Sequence, residues 1–152
     1  MVIGAYFLIK VIFSMVIGAA SGLNKTKSKG NLYLNTSAAL VKQSIYEMEV
    51  LAEFLKGKKE TVKGLAGLGD LYVSAAGGRN SKMGTFIGEG IVFSEAKKTK
   101  MPNDTVEGAE LIFEIGNKIK EDFDDKKLPL MIAMVNAILE DKKLNIKWEN
   151  FN

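Results

Sequence analysis

Between positions 67 and 84 the chain reads GLGDLYVSAAGGRNSKMG. Four side chains in it can touch a small polar ligand: Asp70, Ser74, Arg79 and Asn80. A guanidinium forks onto a phosphate through two parallel hydrogen bonds. A helix opening at Arg79-Asn80, just past the Gly77-Gly78 hinge, aims free backbone N–H groups at the same anion. Asp70 and Ser74 stand four residues apart, so on one helical turn they share a face. They could contact hydroxyl or carbonyl oxygens of a ligand whose phosphate Arg79 holds. A surface ion pair for Arg79 and a helix cap for Asp70 are the plainer alternatives, and spacing by itself leaves both open. A further candidate is Lys10, lodged in the apolar run MVIGAYFLIKVIFSMVIGAASGLN. A lysine there either snorkels its ammonium to the surface or is desolvated, which lowers its pKa and suits it to trading protons. An acid such as Asp70 nearby would favour the second.

Composition narrows the chemistry. The 152 residues include no histidine and no cysteine. That excludes disulfides, thiolate zinc sites, cysteine nucleophiles and a Ser-His-Asp triad, and no metal site is expected. Acid–base work near neutral pH falls to Lys, Asp, Glu, Tyr or a cofactor. The net charge of +3 is mild, and the lysines are scattered among carboxylates. Lys25, Lys27 and Lys29 read as a solvated loop, so no nucleic-acid patch is expected. The stretch GLAGLG (64–69) is glycine-rich, but its order is G-x-x-G-x-G and no strand precedes it. It reads as turns and close helix approach rather than a dinucleotide loop.

These side chains need a scaffold, and the apolar spacing predicts helices nearly throughout. Residues 2–22 predict one long helix ended by Gly22. No basic residue precedes its apolar run, and Lys10 interrupts it at a cost of roughly 2.5–3.5 kcal/mol for membrane insertion. Gly18, Ala19, Ala20 and Gly22 make one end small. The run therefore reads as a buried helix packed tightly on another, with a membrane or signal segment as the alternative. Asn35, Thr36 and Ser37 offer caps for a second helix with Leu40, Val41, Ile45, Met48, Leu51 and Leu55 on its apolar face, closed by Gly57. KGKKET reads as a polar turn, and 61–76 as two short helical turns. A helix starts near Arg79 or Asn80, and 94–98 form a short turn. Asp104 or Thr105 caps a helix to about Lys120, and Pro129 sits in the first turn of the last long one.

Taken in order, these segments resemble the C-terminal, all-helical domain of NAD(P)-dependent sn-glycerol-3-phosphate dehydrogenases, of the 6-phosphogluconate dehydrogenase C-terminal-like type. GLGDLYVSAAGGRNSKMG is similar to that family's G-x-x-D-L…GGRN or SRN segment. Lys10 precedes Gly18-Ala19-Ala20-Ser21-Gly22-Leu23 at the spacing of the family's lysine from its G-x-x-x-G-L helix end. Thr105-Val106-Glu107-Gly108 resembles its V-E-G step, and LPLMIAMVNAILED its closing helix. The resemblance covers nearly the whole chain.

It implies that Lys10 is the proton donor and acceptor. It places Asp70 and Ser74, the latter replacing a common threonine, at the glycerol end. Gly78, Arg79 and Asn80 would complete the substrate site, with Arg79 and Asn80 holding the phosphate of dihydroxyacetone phosphate or sn-glycerol 3-phosphate. Arg79, Thr105 and Glu107 would reach an NAD or NADP cofactor. Three positions depart from the family: Val11 replaces an asparagine after the lysine, the preceding FLI is bulkier than usual, and Gly78 replaces a bacterial serine. The Rossmann domain that normally precedes this domain is not expected within residues 1–152. The expectation is a single all-α domain, the substrate-binding half of a cytoplasmic oxidoreductase. Alone it would be inactive, and it would expose an apolar face and form a homodimer. The alternatives are the helical domain of another small-substrate dehydrogenase, or a non-enzymatic helical interaction or membrane-associated protein.

Overall fold

The computed structural model describes the backbone of residues 2–25 and 33–152, and side chains over 9–23 and 34–152. Its helices are α1 (Val2–Lys25), α2 (Tyr33–Phe54), α3 (Lys59–Lys63), α4 (Asp70–Ala75), α5 (Arg79–Gly88), α6 (Phe93–Thr99), α7 (Glu107–Asp122) and α8 (Pro129–Leu139). A π turn over Leu65–Gly69 leads into α4, and a 3-10 turn spans Trp148–Asn150. There is no strand among the described residues. Lys27 and Lys29, and the side chain of Lys25, lie outside them.

The apolar first helix is the centre of the bundle. It packs against α2, α4, α5, α7 and α8. Ile12, Phe13, Met15, Val16, Ala19 and Ala20 are at most 1 % exposed, which is the burial expected of a helix apolar all round. No helix among the described residues is long and apolar enough to cross a membrane.

The small residues of α1 meet small residues of α5. A Cβ added at Gly18 or Gly22 would lie 2.1 Å from the carbonyl oxygens of Ser81 and Thr85 respectively. From the other side, a Cβ at Gly84 would lie 1.9 Å from the Met15 carbonyl oxygen, and one at Gly88 2.3 Å from that of Ala19. The two backbones are in contact, and only glycine fits. Two hydroxyls stitch the seam: Thr85 Oγ1 lies 2.9 Å from Ser21 Oγ and donates to the Gly18 carbonyl at 3.1 Å. The tight crossing expected from Gly18 and Gly22 is therefore present, although Gly22 lies inside the seam and does not end α1, which runs on to Lys25.

Three helix starts depart from the local capping rules in one shared way. The residues just before α6, α7 and α8 are Val92, Val106 and Leu128, which have no side chain able to cap. Each start is served from a distance. Asp141 accepts from the Ser94 backbone N–H at 2.8 Å, Asn80 Oδ1 from that of Gly108 at 2.8 Å, and Glu47 from those of Leu130 and Met131, each at 2.8 Å. The expected caps at Asp104 or Thr105 are thus displaced: α7 begins at Glu107. Asn35, Thr36 and Ser37 likewise fall inside α2, which begins at Tyr33, and α3 takes up part of the expected polar turn.

Glu47 is buried on α2, and Gln43 Nε2 also donates to it at 3.2 Å. Burial pushes its pKa up to about 7, against the three hydrogen bonds that pull it down. The folded state therefore binds this proton more tightly than the unfolded chain, where a glutamate titrates near 4.5. Its contribution to stability is full below about pH 4.5 and declines as pH rises to about 7. Urea unfolding of the wild type and Glu47→Gln across this window should show a fall of up to roughly 3 kcal/mol in the wild type that the variant lacks. Parallel curves would overturn this assignment.

The helix seam makes a second prediction. Gly84→Ala should destabilise the fold by on the order of 2–3 kcal/mol despite alanine's better helix propensity, because two backbones must part. Gly77→Ala, where an added Cβ meets nothing within 4 Å, should be neutral or slightly stabilising. Chemical denaturation of both variants reads the difference.

Candidate active site

The expected site residues gather at the starts of α4, α5 and α7 and on the first half of α1. Asp70 opens α4, where a carboxylate also complements the helix dipole. Its partner is not its own helix end: Lys10 Nζ donates to Asp70 Oδ2 across 60 residues. Of the two alternatives for Lys10, the desolvated one describes the structure. Its side chain is 12 % exposed and that of Asp70 29 %. Burial holds the Lys10 pKa below the ordinary lysine value. Ser74, one turn after Asp70, is half-buried on α4.

Arg79 and Asn80 open α5 immediately after Gly78, as the sequence predicts. An added Cβ at Gly78 would stand 3.3 Å from the Ser74 carbonyl oxygen, so a bare backbone suits the approach of α4 to α5. Arg79 Nη2 donates to Glu107 Oε1, and Asn80 Nδ2 to Glu107 Oε2 at 3.2 Å. One carboxylate thus engages both phosphate-anchor candidates. This pair differs from Lys10–Asp70 in its solvation, with Arg79 51 % and Glu107 41 % exposed. Exposed pairs contribute little and exchange readily, whereas a desolvated one resists disruption. Thr105 is exposed, two residues before the start of α7.

A glycine joins the two clusters. A Cβ at Gly108 would lie 2.9 Å from the Val11 carbonyl oxygen, 3.1 Å from Asn80 Oδ1 and 2.7 Å from Met15 Cε. Gly108 therefore sits where α1, α5 and α7 meet, between the neighbour of Lys10 and the side chain of Asn80. Sequence reading singled it out only as part of the V-E-G step; its backbone N–H is what orients Asn80.

A groove of about 640 Å³ lies beside this site, between α1, α2, α4 and the start of α5. Of the expected site residues only Gly78 lines it. Leu68 and Tyr72 form one wall, and Leu65, Tyr72 and Val73 are 88, 76 and 69 % exposed, so α4 and the turn before it present an apolar face as expected.

Three comparisons bear on this arrangement. The family model for the C-terminus of NAD-dependent glycerol-3-phosphate dehydrogenase matches residues 4–148. The glycerol-3-phosphate dehydrogenase [NAD(P)+] of Agathobacter rectalis is 34 % identical over 130 residues, which are 84 % of this chain and 36 % of that protein. The NADP(+)-dependent glycerol-3-phosphate dehydrogenase of Archaeoglobus fulgidus is 32 % identical over 120 residues, 75 % of this chain and 35 % of its own length. The crystal structure of the Coxiella burnetii glycerol-3-phosphate dehydrogenase superposes with a TM-score of 0.74 at 28 % identity, covering 94 % of this chain and 42 % of that one. The chain thus spans just over a third of the length of these curated relatives.

Gly108→Ala tests the junction. It should cost about 1–3 kcal/mol in denaturant unfolding and should shift the Asn80 side-chain amide resonances in NMR spectra. Unchanged stability and an unmoved Asn80 would contradict the junction.

Proposed function

The chain belongs to the family of NAD-dependent glycerol-3-phosphate dehydrogenase C-terminal domains, and from that membership we propose that it is the substrate-holding, proton-supplying part of such an enzyme. The reaction is the interconversion of dihydroxyacetone phosphate and sn-glycerol 3-phosphate. The observation that carries the reading is the pairing of Lys10 with Asp70, joined through Gly108 to the Arg79–Asn80 start of α5.

In this reading Arg79 and Asn80 anchor the phosphate, and binding that remote group orients the carbonyl at the other end. Asp70 and Ser74 face the glycerol oxygens, and Gly78 leaves room for them. Lys10, as ammonium, gives a proton to the oxygen on C2 while that carbon accepts hydride, so the ketone becomes a secondary alcohol. In the reverse direction Lys10 as amine takes the hydroxyl proton. Burial lowers the Lys10 pKa from the ordinary lysine value, and the Asp70 carboxylate fixes its position.

NAD or NADP, when bound, supplies or accepts the hydride. The half-exposed guanidinium of Arg79 and carboxylate of Glu107, with the exposed Thr105 hydroxyl, form a donor–acceptor set suited to one polar edge of such a cofactor. These residues would hold that edge.

The test is a calorimetric titration of the 152-residue chain with dihydroxyacetone phosphate. Saturable binding is expected in the wild type, with a loss of at least tenfold in Arg79→Ala, the scale of a charge-assisted hydrogen bond to phosphate. The chain alone is expected not to oxidise NADH with this substrate. Binding that ignores Arg79→Ala would sink the phosphate assignment.

A further inference from the structure

A chain of hydrogen bonds runs from the start of α8 through α2 to the segment 146–152, and each link has a fixed sense. Glu47 accepts from the backbone N–H groups of Leu130 and Met131, each at 2.8 Å. Gln43, one turn earlier on α2, donates to Glu47 from Nε2 at 3.2 Å, and its Oε1 accepts from the Asn152 backbone N–H at 3.0 Å. Both side chains are fully buried, and neither belongs to the candidate site. A backbone N–H can only donate, so the Asn152 end requires the oxygen of the Gln43 amide and the Glu47 end receives its nitrogen. That orientation suits a carboxylate, which only accepts. The segment has few other holds at its end: Asn150 Nδ2 donates to the Asp125 carbonyl at 2.9 Å, and the Phe151 ring lies 5.0 Å from that of Trp148.

Protonation of Glu47 brings these senses into conflict. A buried carboxylic acid must donate its O–H, and two of its three partners are backbone N–H groups with no acceptor to offer. Ser44 Oγ, buried three residues earlier on α2, bonds neither oxygen. The remaining partner is Gln43, which offers an acceptor only by turning its amide over. Its Nε2 then faces the Asn152 N–H, donor against donor, and that bond is lost. Asn152 is exposed, so its N–H turns to water. We infer that Glu47 and Gln43 form a protonation-sensitive latch: ionised Glu47 holds the segment 146–152 onto α2 through the Gln43 amide, and protonated Glu47 releases it. Burial raises the Glu47 pKa to about 7, so the latch works near neutral pH. Burial and the three hydrogen bonds set this value; no charged side chain does. α8 carries no charged residue. Lys10 of α1 is held by Asp70, and Lys59 and Lys63 of α3 by Glu53 and Glu49 of α2. Glu60 of α3, Lys42 of α2 and Glu149 of the segment are exposed, and Tyr46 and Lys147 are partly so. With no histidine or cysteine in the chain, no other side chain ordinarily titrates between about pH 5 and 8.

The experiment titrates the 152-residue chain from about pH 5 to 9 and follows three signals. They are the exchange protection of the Asn152 backbone amide, the Gln43 side-chain amide resonances, and the emission of Trp148, the chain's one tryptophan. Far-UV circular dichroism checks that the helices persist across the range. In the wild type, Asn152 protection should fall about fivefold as pH drops through about 7, the scale of one hydrogen bond. The Gln43 and Trp148 signals should move at the same midpoint. Gln43→Leu has no amide to bridge the two ends, and Glu47→Gln imitates the uncharged acid, so in both variants Asn152 should be unprotected at every pH. A flat Asn152 amide in the wild type, or a transition that leaves the Gln43 resonances unmoved, overturns the latch whether or not either variant folds. A transition that survives in Gln43→Leu or Glu47→Gln overturns it too, since another group, such as the amino terminus, then drives the change.

Discussion

The backbone contact between α1 and α5 is the constraint on which the rest of the structure depends. Gly18 and Gly22 on one helix and Gly84 and Gly88 on the other let main chains touch where any side chain would force them apart. α1 carries Lys10 and α5 opens with Arg79 and Asn80. The separation of Lys10 from Arg79 and Asn80 is therefore set by main chain against main chain. Such a contact has few alternative packings, because close-packed interiors tolerate little slack. Side chains that must meet one ligand from two helices need that rigidity, since small misplacements cost rate steeply.

The helix starts extend the same logic. α6, α7 and α8 each begin at a residue that cannot cap, and each is satisfied by a side chain 47, 28 or 83 to 84 positions away. A local cap stabilises only its own helix. A distant one also fixes where that helix begins relative to another element. Asn80 does this at the site itself: it serves as the cap of α7 and, through the same contact, has its amide held beside Glu107. Glu47 does it in the core, at the start of α8, where nine residues from Pro129 to Ile138 are buried. Order within the bundle and order within the site are thus maintained by one device.

This explains what could be read from residue types and what could not. Arg79 and Asn80 were legible because a hinge of two glycines before a guanidinium and an amide leaves one natural helix start, and α5 begins there. The tight α1 crossing was legible in Gly18-Ala19-Ala20 and Gly22, although its partner glycines on α5 were not singled out. The start of α7 was misplaced by one or two residues, because Asp104 and Thr105 look like caps while the cap position is Val106 and the true acceptor comes from α5. Glu47 escaped notice altogether. The signal was available: Leu40, Ser44, Glu47 and Leu51 fall at helical spacing on one stripe, and all are buried. An acid within such a stripe requires donors from elsewhere, but their identity depends on how α8 folds back, which no local pattern states.

The two ion pairs of the candidate site differ in solvation. Lys10–Asp70 is the more buried. There a carboxylate neighbour favours the ammonium while burial disfavours it, and the balance leaves Lys10 below its ordinary pKa. Two influences therefore act on one side chain: the Asp70 carboxylate fixes where the ammonium points, and burial lowers its pKa. Arg79–Glu107 is the more exposed, so water and salt screen it and its partners exchange at small cost. The two pairs thus stand in different surroundings, one mostly buried where α1 meets α4 and the other open to water at the starts of α5 and α7. Gly108, in reach of both Val11 and Asn80, keeps the two pairs in register.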